Sequence, residues 1–136
     1  SNSSYIHCTV VEKSVVSDSV DQIKDTLIQW CGGNDETSYC DLILTTGGTG
    51  FSPRDVTPEA TLEVVGDREC RGLMAWASAQ CSVVQPLAPL SRGTAGIRGN
   101  TLVVNLPGNP GGIPQILQVL FPLLLHALKD IQQGTK

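Results

Sequence analysis

The sequence predicts an α/β fold in three layers, α-β-α, around a mainly parallel sheet. Three observations support this prediction. Strand-like and helix-like segments alternate along the chain, apolar runs over 42–44 and 101–106 read as buried strands, and a glycine-rich loop follows the first run. Such alternation is typical of parallel sheets that helices cover on both faces. At 136 residues, the chain is predicted to form one domain.

Hydrophobic periodicity and turn residues assign the elements. Val20, Ile23, Leu27 and Trp30 recur at helical spacing. A later helix is predicted to have Thr57 as its N-cap and Pro58 at its first position. The predicted elements are, in order, a strand over 5–11, a helix from Ser17 or Asp18 to Trp30, a strand over 41–45, helices over 57–65 and 72–82, an irregular or edge strand over 83–90, a loop over 91–99, a strand over 101–106 and a helix over 113–131.

Composition narrows the function classes. The net charge of −4 argues against broad nucleic-acid binding, which needs a basic face. The longest apolar run, over 116–128, is interrupted by Gln118, Pro122 and His126 and falls short of the ~20 residues of a membrane span. Five cysteines without a C-x-x-C pair indicate reduced thiols in a cytosolic protein, not a disulfide framework or a zinc site.

The glycine-rich loop over 47–50 is the strongest candidate for a ligand site. It follows a predicted buried strand and precedes Arg54, Asp55 and a helix start. Ligands of open α/β sheets bind beyond the carboxyl ends of the strands, where glycines let backbone N–H groups approach an anion. Two plainer interpretations remain open. The glycines also suit a tight turn without a ligand, and Arg54 also suits an ion pair with a neighbouring acid.

Two further loops, 91–99 and 107–111, carry candidate residues. The loop over 107–111 follows a predicted strand and leads into the last helix, whose N-terminus favours anions. Because loops that follow parallel strands lie at the same edge of a sheet, the loops over 47–55 and 107–111 are expected to converge. The plainer interpretations of the residues in 91–99 are a loop cap for Ser91 and solvated surface charges for Arg92 and Arg98.

Three motifs in this order resemble the molybdopterin-binding family of molybdenum cofactor synthesis, with the MoaB/Mog-like fold and the G domains of gephyrin-like proteins as the nearest match. They are T-T-G-G-T-G-F-S-P-R-D-V-T-P-E-A-T over 45–61, L-S-R-G-T-A-G-I-R-G over 90–99 and N-L-P-G-N-P over 105–110. The likeness extends from about Val10 to Leu128. The family has an earlier strand and ligand-binding loop, and the chain begins at what corresponds to its second strand.

The resemblance implies a molybdopterin adenylyltransferase, which transfers AMP from ATP to the phosphate of molybdopterin and releases pyrophosphate with the help of Mg²⁺. It also implies a homotrimer and a cytoplasmic location. The chain is then either the adenylyltransferase itself or its G-type domain cut from a longer protein, and the product passes to a metal-insertion (E-type) domain. Two alternatives remain. One is a catalytically silent pterin-binding or scaffold domain, and the other is a nucleotide-handling enzyme of the same fold with another substrate.

The family's two functional aspartates match Asp18 and Asp55, so both are predicted to be catalytic and to hold Mg²⁺, which takes oxygen ligands and commonly one or two carboxylates. Asp18 also reads as a helix N-cap, and Asp55 as a turn-forming residue. The predicted substrate-binding residues are Thr46, Gly47, Gly48, Thr49, Gly50, Arg54, Ser91, Gly96, Arg98, Asn105, Pro107 and Gly108.

Overall fold

Four α-helices and three strands make up the described part of the chain. The computed structural model describes residues 7–33 and 38–133. Within them lie α1 (Val20–Trp30), β1 (Leu42–Thr46), α2 (Thr57–Val65), α3 (Arg71–Cys81), β2 (Ala95–Arg98), β3 (Thr101–Leu106) and α4 (Ile113–Gln133), with 3₁₀ turns at Gly66–Arg68 and Ala88–Leu90.

The three strands form one sheet in the order β1-β3-β2. β1 runs parallel to β3, with Leu42 opposite Leu102, whereas β2 runs antiparallel to β3, with Arg98 opposite Thr101. The described sheet is therefore mixed. Only Gly99 and Asn100 separate β2 from β3, and a two-residue connection can join antiparallel strands only. The loop predicted over 91–99 is wrong in its second half, which forms β2.

β3 is the central strand, and all six of its residues are buried. Alternate side chains of a strand point to opposite faces. Leu102, Val104 and Leu106 accordingly pack into a core cluster with residues of α3 and α4. Val103 packs on the other side with Leu27 of α1 and other apolar side chains. Helices thus cover both faces of the sheet, and the three-layer α/β prediction is confirmed.

The helix starts differ slightly from the prediction. Ser19 is the N-cap of α1, where its extended backbone lets its hydroxyl accept from the Gln22 N–H, so the capping interpretation of Asp18 is wrong. The bounds of α2 are as predicted, but Val56 occupies the N-cap position and Thr57 is already helical. Asp18 is therefore left free to pair with a side chain from another segment.

Two predicted strands are absent from the described chain. Tyr5 and Ile6 lie outside it, and residues 7–11 are exposed and form no strand. Residues 83–90 form turns and the second 3₁₀ turn instead of a strand, since two prolines remove backbone donors there. None of the α-helices in the described ranges combines the length and apolar character that a membrane crossing demands.

Candidate functional site

A cavity of about 650 Å³ lies beside the carboxyl ends of β1 and β3. Three segments that are distant in sequence line it: the glycine loop over 47–50 with Asp55, the stretch containing Ser91 and Gly93, and the turn over 107–112 that begins with Pro107 and Gly108. The predicted convergence of the first and third segments is therefore observed. The 91–93 segment reaches the same edge of the sheet. It precedes β2, which begins near the carboxyl end of β3 and runs antiparallel to it.

The glycine loop depends on its glycines. Gly47 and Gly48 have φ angles of +85° and +70°, which L side chains rarely adopt. A Cβ on Gly48 would overlap the Thr57 hydroxyl, and a Cβ on Gly108 would lie 3.0 Å from the Gly47 Cα. The loop is thus packed against the start of α2 on one side and against the turn after β3 on the other. This close packing supports the tight-turn interpretation of the glycines, and it does not exclude a ligand.

Three successive carbonyl groups of the loop are bonded to the protein. The Gly48 carbonyl accepts from the Thr57 N–H (3.1 Å), the Thr49 carbonyl from the Arg92 N–H (2.7 Å), and the Gly50 carbonyl from Arg92 Nε (2.8 Å). In contrast, the N–H groups of Gly48, Thr49 and Gly50 have no acceptor within residues 7–33 and 38–133. Three successive free N–H groups beside a cavity are the kind of concavity that binds anions.

The two predicted catalytic aspartates lie on neighbouring segments. Asp55 lines the cavity, and its Oδ2 accepts from the Ser52 N–H at 3.1 Å. Asp18 does not line the cavity, but its Oδ2 is 3.9 Å from Nε of Arg54, the residue before Asp55. Arg54 is thus paired with a neighbouring acid, and this is the plainer of its two interpretations. No cluster of three or more metal-ligating side chains occurs among the described residues, so a metal here would have at most two carboxylates.

Asn105 serves the fold beneath the site. It is fully buried, and its amide donates to the hydroxyls of Thr45 and Thr61, each at 2.9 Å. Its Oδ1 accepts from the Thr94 N–H at 3.1 Å. These bonds use both amide hydrogens and leave the side chain no open face toward the cavity. The prediction that Asn105 contacts substrate is therefore not supported by its placement.

Four other predicted substrate-binding residues are not brought into the cavity lining: Thr46, Arg54, Gly96 and Arg98. Thr46 ends β1 next to the loop but is not part of the lining. Gly96 lies within β2, where a Cβ would be 2.6 Å from Val65 Cγ2, so close packing explains this glycine. Arg98 lies opposite Thr101 at the start of β3, roughly 17 Å along the strand from its carboxyl end, and donates to the Val64 carbonyl at 3.1 Å.

Sequence inspection left Arg92 as a residue with an open role, and the structure gives it several partners. Its guanidinium bonds to Glu59 through Nη1 (2.7 Å) and Nη2 (3.2 Å), and Nη2 also donates to the Asp55 carbonyl (2.8 Å). The hydrogen bond from Arg92 lowers the pKa of the Glu59 carboxyl. The position of Arg92 directly after Ser91 was the only signal in the sequence, because its partners lie 33 to 42 residues away.

The rest of the cavity lining is mostly apolar, and sequence inspection did not find this part. It includes Met74, Cys81, Leu87 and Ile116. Burial raises the pKa of the Cys81 thiol, so this side chain stays neutral. All five cysteines lie in the described ranges and are free thiols, as predicted. The cavity therefore joins a polar side that suits an anion with an apolar side that suits the face of a flat ring.

Comparison with protein families gives a match to one family model, a probable molybdopterin binding domain, over residues 4–126. The chain belongs to this molybdopterin-binding family. Two relatives show the range of its members. A molybdopterin adenylyltransferase from Helicobacter pylori is 43% identical over 114 residues, which are 84% of this chain and 62% of that protein. The molybdenum cofactor synthesis protein cinnamon from Drosophila melanogaster is 41% identical over 120 residues, 88% of this chain and 19% of cinnamon.

Solved structures of the family have the same fold. The molybdopterin biosynthesis enzyme MoaB from Thermus thermophilus is 46% identical and superposes with a TM-score of 0.73, covering 84% of this chain and 69% of that one. A molybdopterin biosynthesis protein from Mycobacterium abscessus is 32% identical with a TM-score of 0.76, over 88% of this chain and 72% of that one. The chain thus spans less than two thirds of the curated relatives named above and somewhat more of these structures.

Proposed function

We propose that this molybdopterin-binding domain is a molybdopterin adenylyltransferase, which transfers AMP from ATP to the phosphate of molybdopterin and releases pyrophosphate. The observation that carries the proposal is the row of free N–H groups at Gly48, Thr49 and Gly50, beside the Asp55 carboxylate in one cavity. Support also comes from relatives with this name at 40–43% identity.

Substrate binding follows from the two sides of the cavity. The N–H row and the N-terminus of the 21-residue helix α4, which borders the cavity through Gly112 and Gln115, both favour phosphate groups. The apolar wall at Met74 and Ile116 offers contact to the face of a pterin or a purine. Ser91, whose hydroxyl donates to the Thr49 hydroxyl at 3.2 Å, lies between the two sides and is proposed to contact the pterin.

The reaction needs positioning more than covalent help from the protein. A phosphate oxygen of molybdopterin bonds to the α-phosphorus of ATP, and the bond from that phosphorus to the bridging oxygen of the β-phosphate breaks, with pyrophosphate as leaving group. The protein aligns the two groups and places positive dipoles where charge develops. Asp18 and Asp55 would hold Mg²⁺, which when bound neutralises phosphate charge. The donor set fits this metal, because carboxylate oxygens are ligands that Mg²⁺ takes, and Asp18 lies 3.9 Å from Arg54, the residue before Asp55.

The proposal extends to the assembly and its surroundings. We place the enzyme in the cytoplasm, upstream of a metal-insertion domain that receives the adenylylated product. Exposed apolar side chains on two helices that pack together support an oligomer, for which we propose the homotrimer that the family resemblance implies; they are Trp76 of α3 and Phe121 and Leu123 of α4, each about 40% exposed. Analytical ultracentrifugation of the purified protein tests this, and a mass of one chain at micromolar concentration would refute the trimer.

The substitution Asp55→Asn tests the proposed reaction. The amide keeps the side-chain volume but lacks the negative charge, so we expect pyrophosphate release from ATP and molybdopterin to fall by at least ~100-fold with the melting temperature unchanged. Asp67→Asn is the matched control, because Asp67 is exposed in a turn outside the cavity and should leave the rate unchanged. Wild-type turnover by Asp55→Asn would remove this carboxylate from the reaction.

A second candidate function is a silent pterin-binding or scaffold domain, favoured by the relatives named gephyrin and cinnamon, of which the chain covers only 16% and 19%. Isothermal titration separates the two. Binding of molybdopterin by wild-type protein without pyrophosphate release from ATP would support the silent domain and refute the transferase. Titration with other phosphorylated ligands tests the nucleotide-handling enzyme with a different substrate.

A further inference from the structure

The segment over 50–55 has few ties to the rest of the protein, although it carries Asp55. Three of its hydrogen bonds are internal: Asp55 N–H to the Ser52 carbonyl, Ser52 N–H to Asp55 Oδ2, and Arg54 N–H to the Ser52 hydroxyl. Its side chains from Phe51 to Arg54 are exposed. The 3.9 Å ion pair of Arg54 with Asp18 is exposed too, and such pairs contribute ~0–1 kcal/mol at most. These contacts alone are too weak to hold the 50–55 segment against the rest of the protein.

Arg92 supplies that tie at both ends of the segment. Its Nε donates to the Gly50 carbonyl and its Nη2 to the Asp55 carbonyl, both at 2.8 Å. Its other contacts, to Glu59 at 2.7 and 3.2 Å, fix the guanidinium against helix α2. A planar guanidinium with this fork of donors sets the distance between its acceptors. The separation of Gly50 from Asp55 is thereby held by one side chain.

Arg92 also orients peptide groups of the glycine loop. In a trans peptide unit the C=O and the next N–H point in opposite directions. Since the Thr49 carbonyl accepts from the Arg92 N–H and the Gly50 carbonyl from Arg92 Nε, the N–H groups of Gly50 and Phe51 point away from Arg92. The main-chain bond survives any substitution of the side chain, so a side-chain variant disturbs the Gly50–Phe51 unit and Asp55 while the N–H groups of Gly48 to Gly50 stay in place.

We propose that Arg92 is a positioning residue that sets the placement of Asp55 relative to the glycine loop. The inference rests on the proposed adenylyl transfer for its kinetic part only. Arg92 acts through main-chain carbonyls and Glu59, not through contact with the reacting atoms. A misplacement of about 1 Å in a catalytic group costs ~100-fold in rate, so loss of this tether should show mainly in kcat.

Two substitutions separate charge from geometry. Arg92→Lys keeps the positive charge near Glu59 but cannot span both carbonyls, and Arg92→Ala removes both functions. We expect kcat to fall by ~10- to 100-fold in both, with KM for ATP close to wild type. Added guanidinium at low millimolar concentration should restore part of kcat in Arg92→Ala and nothing in Asp55→Asn. Arg71→Ala is the matched control, since this exposed arginine pairs with Glu69 and lies outside the cavity lining.

Hydrogen exchange of the ligand-free protein gives a readout that needs no reaction. The hydrogen-bonded amides of Ser52, Arg54 and Asp55 should exchange faster in Arg92→Lys than in wild type, while those of α4 stay unchanged. If wild-type protein fails to adenylylate molybdopterin, the proposed function is refuted, and the exchange rates still test the positioning role of Arg92. If wild type is active and both variants keep its kcat, or if kcat falls only with a matching loss of melting temperature and without guanidinium rescue, the positioning role is refuted.

Discussion

Replacing Asn105 by leucine tests the claim that this buried amide holds the floor of the site. The two side chains are close in volume, so packing changes little. Three hydrogen bonds are lost, at 2.9, 2.9 and 3.1 Å. The Thr45 and Thr61 hydroxyls can rotate toward other acceptors, whereas the buried Thr94 N–H cannot. An unpaired buried donor costs ~1–3 kcal/mol, and the two lost side-chain bonds add ~0.5–1.5 kcal/mol each.

The sum is roughly 4 kcal/mol for Asn105→Leu, a large part of a typical unfolding free energy of ~5–15 kcal/mol. For a domain of this size about 4 °C of melting temperature corresponds to each kcal/mol, so we expect a fall of roughly 16 °C. Urea unfolding followed by circular dichroism measures the free energy. Thr101→Val is the control, because Thr101 is equally buried in β3 and its hydroxyl donates to the Cys40 carbonyl at 2.6 Å, outside the Asn105 network.

A double-mutant cycle with Thr61→Val isolates the network from the volume change. Thr61→Val alone leaves one Asn105 N–H unpaired, whereas in the Asn105→Leu background that loss has already occurred. We expect a coupling of about 1 kcal/mol. The reasoning is refuted if Asn105→Leu costs no more than Thr101→Val, or if the two substitutions are additive within the error of the unfolding measurement.

Two further predictions concern the loop and its support. Gly48→Ala should destabilise the protein by at least ~1–2 kcal/mol, because of the positive φ and the overlap with Thr57, and it should abolish activity. Gly72→Ala, with no atom within 4 Å of the added Cβ, should instead stabilise by ~0.5 kcal/mol, and urea unfolding distinguishes the two. The pKa of Glu59 is lowered from 4.5 by Arg92, so its contribution to stability is present above that value and is lost as the pH falls through the folded pKa. Glu59→Gln should therefore be less stable than wild type by under ~1 kcal/mol at about pH 6, with the difference shrinking as the pH falls below 4.5; a constant difference would contradict the assignment.

Sequence patterns predicted those elements whose structure depends on residues that are close together in the chain. The apolar run of β3 and the Thr57-Pro58 start of α2 are visible in neighbouring residues, and both elements were predicted closely. β2 was missed because its four residues include a glycine, and it is a strand only through pairing with β3. A two-residue turn at Gly99 and Asn100 was the available signal.

In the site, too, features set by neighbouring residues were predicted, and features set by distant residues were not. The glycine loop was predicted because φ requirements are encoded in the glycines themselves. Asn105 was predicted to face substrate because an amide at a strand end suits ligand binding and buried networks equally well, and only the positions of Thr45, Thr61 and Thr94 decide between them. The role of Arg92 also depends on residues that are distant in sequence, so its type and position alone did not reveal it.

Asn105 and Arg92 act on the same loop from two sides, and this links the stability of the fold to the geometry of the site. Asn105 joins Thr45, just before the loop, to Thr94, just after Arg92. Arg92 then bonds to the loop itself. The loop lines the cavity, and the bonds of these two residues hold it and its flanking segments in place. Substitution of Asn105 should therefore weaken phosphate contact, and substitution of Arg92 should disturb the placement of Asp55, even where the global fold survives.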